Sequence, residues 1–228
     1  MSDAHYLPAD VSVDLGDVVL GGSLAVPEQA CAVVAFVHGS GSSRYSARNR
    51  YVAEVLHRAG FATLLFDLLT ANEAEVDALT RVLRFDIALI TRRVSHAVKW
   101  LCSRDDVRAL PIGLCSSSTG AAAALRAAVS DARIAAVVSR GGRPDLAGDA
   151  LAVVRAPTLL IVGGEAEAVV ALNERAAGRM RCVHEVRIVA GATHFFEEAG
   201  ALEQVAELAR DWFLRYCTPR GGTASREA

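Results

Sequence analysis

Disulfide chemistry, membrane spanning and nucleic-acid binding each lack the residues they require in this 228-residue sequence. The five cysteines, Cys31, Cys102, Cys115, Cys182 and Cys217, are scattered, odd in number and never form a CxxC pair. That usage points to reduced thiols in a cytoplasmic protein rather than a disulfide framework. No apolar run approaches the ~20 residues of a membrane helix. The opening MSDAHYLPADVSVDLGD has no basic start followed by an apolar stretch, so no signal peptide is expected. The net charge of -2 gives no global electrostatic case for nucleic acid or an anionic membrane. Internal repeats and linker-like stretches are also missing.

What is present is a chain with 52% hydrophobic and 22% charged residues, enough for the core of one sizeable domain. We expect a single domain over 1–217 and a polar, Gly-rich, frayed tail over 218–228. Short apolar runs alternate with longer helical patterns. Val18–Val26, with Gly21-Gly22 inside it, predicts strands near a turn. Further strands are predicted over Ala32–Val37, Ala62–Phe66, Pro111–Leu114, Ile134–Val138, Thr158–Val162 and Val186–Val189. Helices are predicted over Ala47–Ala59, Arg84–Leu101, Gly120–Val129, Val169–Met180 and Leu202–Tyr216. Continuous apolar strands imply burial on both faces, as in a parallel sheet wrapped by helices. The fold class is therefore α/β, with a mostly parallel central sheet. Sites in such sheets form at the carboxyl ends of the strands, where this chain places its Gly-rich polar segments. The stretch Leu69–Leu83 predicts either a small lid or an extra surface helical turn.

Ser118 follows an apolar strand and precedes Gly120 and the Ala-rich helix GAAAALRAAV. A serine on such a strand-to-helix turn is held out of the sheet as a nucleophile; its alternative role is a helix N-cap. The Thr119 N–H at the helix start suits an oxyanion. The full G-x-S-x-G motif is absent, because Ser116 occupies the first Gly position. Cys115 is a rival nucleophile, but it falls at the strand end, where a buried structural cysteine is the commoner case. His194, in GATHFFEE after the last predicted strand, stands in the chain order expected of a general base, against the reading of a surface histidine. Three carboxylates are candidates to orient it: Glu165 and Glu167 in GGEAE, and Asp145 in RGGRPD. Each could instead be a solvated surface group.

The loop His38-Gly39-Ser40-Gly41-Ser42-Ser43 offers a second oxyanion donor, the Ser40 N–H, or is simply a tight turn. It is not a P-loop, since it lacks the G-K-[ST] ending. Arg44, Arg48, Arg140 and Arg143 are expected in loops at the same strand ends. They form an anion site or pair with local carboxylates. His38, Arg44 and Arg143 are the candidate substrate-binding residues.

The stretches HGSGSSRYSARNR (38–50), LLFDLLT (64–70), LRFDI (83–87), SSTGAAAAL (117–125), VSRGGRPDLAG (138–148), APTLLIVGG (156–164) and GATHFFEE (191–198) occur in order along nearly the whole chain. Together they resemble the dienelactone-hydrolase-like α/β-hydrolases, some of which are fused to phosphoribosyltransferase domains. The resemblance implies a Ser118 nucleophile, a His194 base, a small ester or lactone-like substrate, no cofactor and no metal. Two positions depart from the family pattern. Ser116 replaces its first Gly, and Ala166 stands where it carries an Asp, the expected acid.

Overall fold

The computed structural model describes residues 6–39 and 41–218. Eight strands form one sheet in the order β1-β2-β4-β3-β5-β6-β7-β8. These are β1 Ala9–Asp14, β2 Val19–Ala25, β3 Ala32–Val37, β4 Phe61–Phe66, β5 Ile112–Ser117, β6 Ile134–Arg140, β7 Thr158–Gly163 and β8 His184–Val189. The pairs β1–β2 and β2–β4 are antiparallel. All the others are parallel, from β4 and β3 across to β8. Every residue of β3, β4 and β7 is buried, as the uninterrupted apolar runs require.

Seven α-helices connect the strands: α1 Ala47–Arg58, α2 Ala71–Thr80, α3 Ile87–Ser103, α4 Gly120–Ser130, α5 Ala150–Val153, α6 Glu167–Ala177 and α7 Ala201–Cys217. One face of the sheet packs on α1 and α7 through Val52, Leu56, Val205 and Phe213. The other packs on α3 and α4 through Val94, Leu101, Ala122 and Leu125. The alanines at 121–124 are all buried, so α4 approaches the sheet and α3 closely.

Three expectations need correction. The Val18–Val26 segment is one strand, not two around a turn. Gly22 lies inside it because any side chain there would collide with Val11 and Val13 of β1. The sequence reading omitted β1 itself, a mostly exposed edge strand whose polar ADVSVD carries little apolar signal. Of the arginines expected in loops, Arg140 is the last residue of β6 and is buried, and Arg48 is the second residue of the helix Ala47–Arg58. The helix expected from Arg84 starts at Ile87, capped by the Asp86 side chain accepting from the Leu89 N–H at 2.8 Å.

The Leu69–Leu83 stretch holds α2. Thr70 and Glu73 form a reciprocal capping box at its start. Glu73 also pairs with buried Arg93 of α3 at 2.8 Å. At the other end, buried Asp77 pairs with Arg84 at 2.6 Å. This helix is pinned at both ends. It roofs a cavity of about 560 Å³ whose floor includes Gly39, Gly41 and Leu68.

Candidate active site

Ser118 sits between β5 and α4 with φ 49, the left-handed region. A side chain there costs about 1–2 kcal/mol, so the surrounding packing must impose the turn. Two close approaches do so. A Cβ on Gly120 would fall 2.4 Å from the Val37 carbonyl oxygen, and one on Gly39 would fall 2.7 Å from Ser118 Cβ. The Arg143 N–H donates to the Ser118 carbonyl at 2.9 Å, and the Gly39 N–H donates to Ser117 Oγ at 3.1 Å. Ser116 fits its crowded place by donating its hydroxyl to the Val138 carbonyl at 2.9 Å.

Thr119 heads α4 at the positive end of the helix dipole and is buried. Ser40, the other expected oxyanion donor, lies outside the described residues. Cys115 is buried, and burial pushes its thiol up to about 12, so it is protonated at neutral pH and inert as a nucleophile.

His194 follows β8 in a loop laced onto the end of β7. A Cβ on Gly163 would lie 2.3 Å from the Thr193 carbonyl oxygen, and the Glu165 N–H donates to the Ala192 carbonyl at 3.0 Å. The ring rests on the β6 exit, where a Cβ on Gly141 would lie 3.3 Å from both Nδ1 and Cε1. The serine's turn is bound to the same exit segment through Arg143. Nδ1 of His194 is buried and has no hydrogen-bond partner among the described residues. Its pKa is lowered, first by burial and then by the positive charges of Arg140 and Arg48.

The three candidate acids are placed elsewhere. Glu165 and Glu167 are exposed, Glu167 as the first residue of α6, and neither pairs with His194. Asp145 forms a bidentate pair with Arg143, both contacts at 2.8 Å, and Arg143 holds its carboxyl below the usual range. No His-carboxylate pair occurs among the described residues.

The candidate binding residues are largely engaged within the protein. The Nδ1–H of His38 donates to the Gly39 carbonyl at 2.9 Å, and its Nε2 accepts from the Leu68 N–H at 3.2 Å. The ring is therefore neutral, and it ties the β3 exit to the β4 exit. Arg44 pairs with Asp67 at 2.6 Å, and Arg143 with Asp145. Arg140 differs, because its guanidinium donates to Asn49 Oδ1 at 2.8 Å and meets no carboxylate among the described residues. Sequence reasoning missed Asn49; its position on the buried face of α1, three residues after the Ser46 N-cap, was the available signal. No group of three or more His, Cys, Asp or Glu side chains able to hold a metal gathers among the described residues. None of the described helices is long and apolar enough to cross a membrane.

A mostly parallel sheet carrying a left-handed serine at a strand-to-helix turn, with a histidine after the last strand, is the layout of the α/β-hydrolase fold. The model of the dienelactone hydrolase family matches residues 20–217, and the chain belongs to that family. It is 52% identical to a crystallised dienelactone hydrolase from Anabaena variabilis, with a TM-score of 0.91, covering 93% of this chain and 99% of that one. The fold is shared at 16% identity with Est1E from Butyrivibrio proteoclasticus, at a TM-score of 0.75, covering 90% and 98% of the two chains. Two Mycobacterium tuberculosis proteins, from strains CDC 1551 and H37Rv, are 53% identical over 220 residues and carry a provisional phosphoribosyl transferase name. That match covers 96% of this chain and 49% of each relative, so the chain spans about half their length.

Proposed function

We propose that this chain hydrolyses small esters, lactones or thioesters through a Ser118 nucleophile, without a cofactor or metal. The observation that carries this reading is the φ of 49 at Ser118. A non-glycine residue in that conformation persists only where its surroundings over-determine it. Here those surroundings are Gly39, Gly120 and the Arg143 N–H.

In the proposed reaction Ser118 Oγ attacks the carbonyl carbon and His194 takes the hydroxyl proton. The carbonyl oxygen becomes an oxyanion against the Thr119 N–H, with the Ser40 N–H as the expected second donor. The leaving group takes the proton from His194 and departs, leaving an ester on Ser118. Water, deprotonated by His194, then releases the acid and regenerates the serine. The α2-roofed cavity beside Gly39, lined by Leu68, Leu69 and Ile90 together with the Arg44–Asp67 and Arg84–Asp77 pairs, is the proposed place for the small-molecule substrate. The phosphoribosyl transferase name of the mycobacterial relatives belongs to proteins about twice the length of the match, and no step here draws on it.

The test is labelling of the purified protein by a fluorophosphonate probe. We expect Ser118 to be modified, Ser118→Ala to abolish labelling and His194→Ala to slow it strongly. A folded wild-type protein that takes no label would favour a second reading, an α/β-hydrolase scaffold that binds a ligand or partner without turnover. The orphaned Nδ1 of His194 is the observation in favour of that reading.

A further inference from the structure

A guanidinium removed from water costs several kcal/mol unless a counter-charge replaces its hydration. Two arginines of this chain are buried among the described residues, Arg93 at 4% exposure and Arg140 at 8%. Arg93 obeys the rule, meeting Glu73 at 2.8 Å and facing Asp17 at 3.9 Å. Arg140 does not, because its one acceptor among the described residues is the neutral Asn49 Oδ1. Two nitrogens of Arg93 are sealed from solvent without a partner, whereas none of Arg140 is. Its guanidinium keeps further N–H donors beyond the one that meets Asn49 among the described residues, and these are the groups a ligand would meet.

Arg48 brings a second cation to the same corner. It stacks 4.8 Å over the Phe195 ring and lines an open groove of about 950 Å³. Its ion-pair partner, Glu197, is 71% exposed, so that pair is weak and easily exchanged. Phe195 is the neighbour of His194, and Arg140 is the neighbour of Gly141, on which the His194 ring rests. The histidine expected to lean on a carboxylate is thus placed beside two guanidinium groups.

We propose that Arg140 and Arg48 form an oxyanion subsite beside His194, and that the anion held there supplies the negative charge this base lacks. The ligand is a carboxylate or phosphate, carried by the substrate or bound free from solution. It offsets the two cations and so stabilises the imidazolium that forms when His194 takes the Ser118 proton. It neither forms nor breaks a covalent bond. This inference rests on the hydrolase reading and names an ingredient that reading leaves out.

The test compares two esters at constant ionic strength. One is neutral 4-nitrophenyl acetate, with chloride progressively replaced by acetate or phosphate. The other is 4-nitrophenyl hydrogen succinate, which carries its own carboxylate, without added anion. For the neutral ester we expect kcat/KM to rise saturably by about tenfold, within the usual range of coupling between two ligands. We expect the succinate half ester to react at the raised rate unaided. A response confined to the half ester assigns the anion to the substrate, and one to free acetate or phosphate assigns it to solution.

Arg140→Met removes both responses, Arg48→Gln weakens them and Arg140→Lys retains part of them. Replacing an unpaired buried charge by an apolar side chain is usually tolerated, and Arg48→Gln alters a side chain at the surface. An anion response unchanged in Arg140→Met, or none in the wild type while Ser118 still takes the fluorophosphonate label, overturns the subsite and leaves the hydrolase standing. If the wild type neither labels nor turns over, the hydrolase reading falls. The subsite is then judged by Tm in rising phosphate, which climbs more steeply in the wild type than in Arg140→Met, both sharing the general salting-out rise. Equal climbs in the two proteins overturn it as well.

Discussion

Around the β5–α4 turn every place is filled. Gly39 and Gly120 leave room only for backbone, Ser116 closes its hydroxyl on Val138, and the Arg143 N–H secures the Ser118 carbonyl. Around the β7 and β8 exits the packing is equally close, yet the polar account does not balance. Nδ1 of His194 is orphaned, Ala166 presents a methyl group, and the nearest identified charges are two arginines. The two halves of one site thus differ in chemistry while sharing the same tight backbone. The shape of an active site is fixed by packing, which tolerates Asp-to-Ala at one loop position. The proton transfer proposed for His194 would draw on a single charge, which the Ala166 departure from the family pattern leaves out.

The change expected to be largest is the one that abolishes this difference. Ala166→Asp places a carboxylate on the loop laced to the His194 segment. In a serine-protease triad, loss of the acid alone lowers kcat by about 3 × 10⁴. Restoring it here should raise kcat/KM toward small esters by about 10²–10⁴, measured with 4-nitrophenyl acetate. Because residue 166 is also the N-cap of α6, aspartate there should add about 1 kcal/mol of stability. A stability gain without a rate gain would mean the carboxylate caps the helix and does not reach the imidazole.

The converse is to break the complete half. With the acid already absent, Ser118 and His194 have less acceleration left to lose than in a full triad. Dividing a total triad effect of about 2 × 10⁶ by the acid's 3 × 10⁴ leaves roughly 10²-fold. Ser118→Ala and His194→Ala should each lower kcat/KM by about that factor, and the double variant by little more. A loss of about 10⁶ in either single variant would mean that a carboxylate assists His194 after all.

Gly120→Ala attacks the packing instead. The new Cβ would lie 2.4 Å from one backbone oxygen and 2.7 Å from another, with no flexible side chain to yield. We expect a loss of about 1–3 kcal/mol in urea unfolding, together with lost fluorophosphonate labelling. The same substitution at Gly191, whose Cβ would meet nothing within 4 Å, should act only through its φ of +70 and leave labelling in place.

How much of this was legible beforehand follows from which forces each feature rests on. Strands buried on both faces announce themselves as β3 and β7 do, in the uninterrupted apolar runs AVVAFV and LLIV. The order of serine and histidine along the chain is visible in the residues, and the departure at Ala166 comes from the family resemblance. Edge strand β1 was not, since half-exposed pairing leaves little hydrophobic signature. The binding roles expected of Arg44 and Arg143 were not refuted by their position, which is near the site. What changed their reading was their partners, Asp67 and Asp145, and partners are a tertiary property. Arg140 looked like a fourth loop arginine, and only the register Ser117–Arg140 shows that it ends a central strand and is buried.

The smallest effect concerns pH and separates the causes acting on His194. Its pKa lies below the ordinary 6.5, mainly through burial, with Arg140 and Arg48 adding to the shift. A lowered histidine pKa keeps the ring neutral, and so able to accept a proton, to a lower pH. The acidic limb of kcat/KM should therefore fall below pH 6.5 in the wild type. Arg140→Met removes one lowering cause and leaves burial in place, so the limb should move upward while staying below its ordinary position. Saturating acetate should move the wild-type limb the same way by offsetting the same charge. An unmoved limb in both cases would mean that burial alone sets this histidine, and that the two halves of the site differ by an absent carboxylate and not by an added positive field.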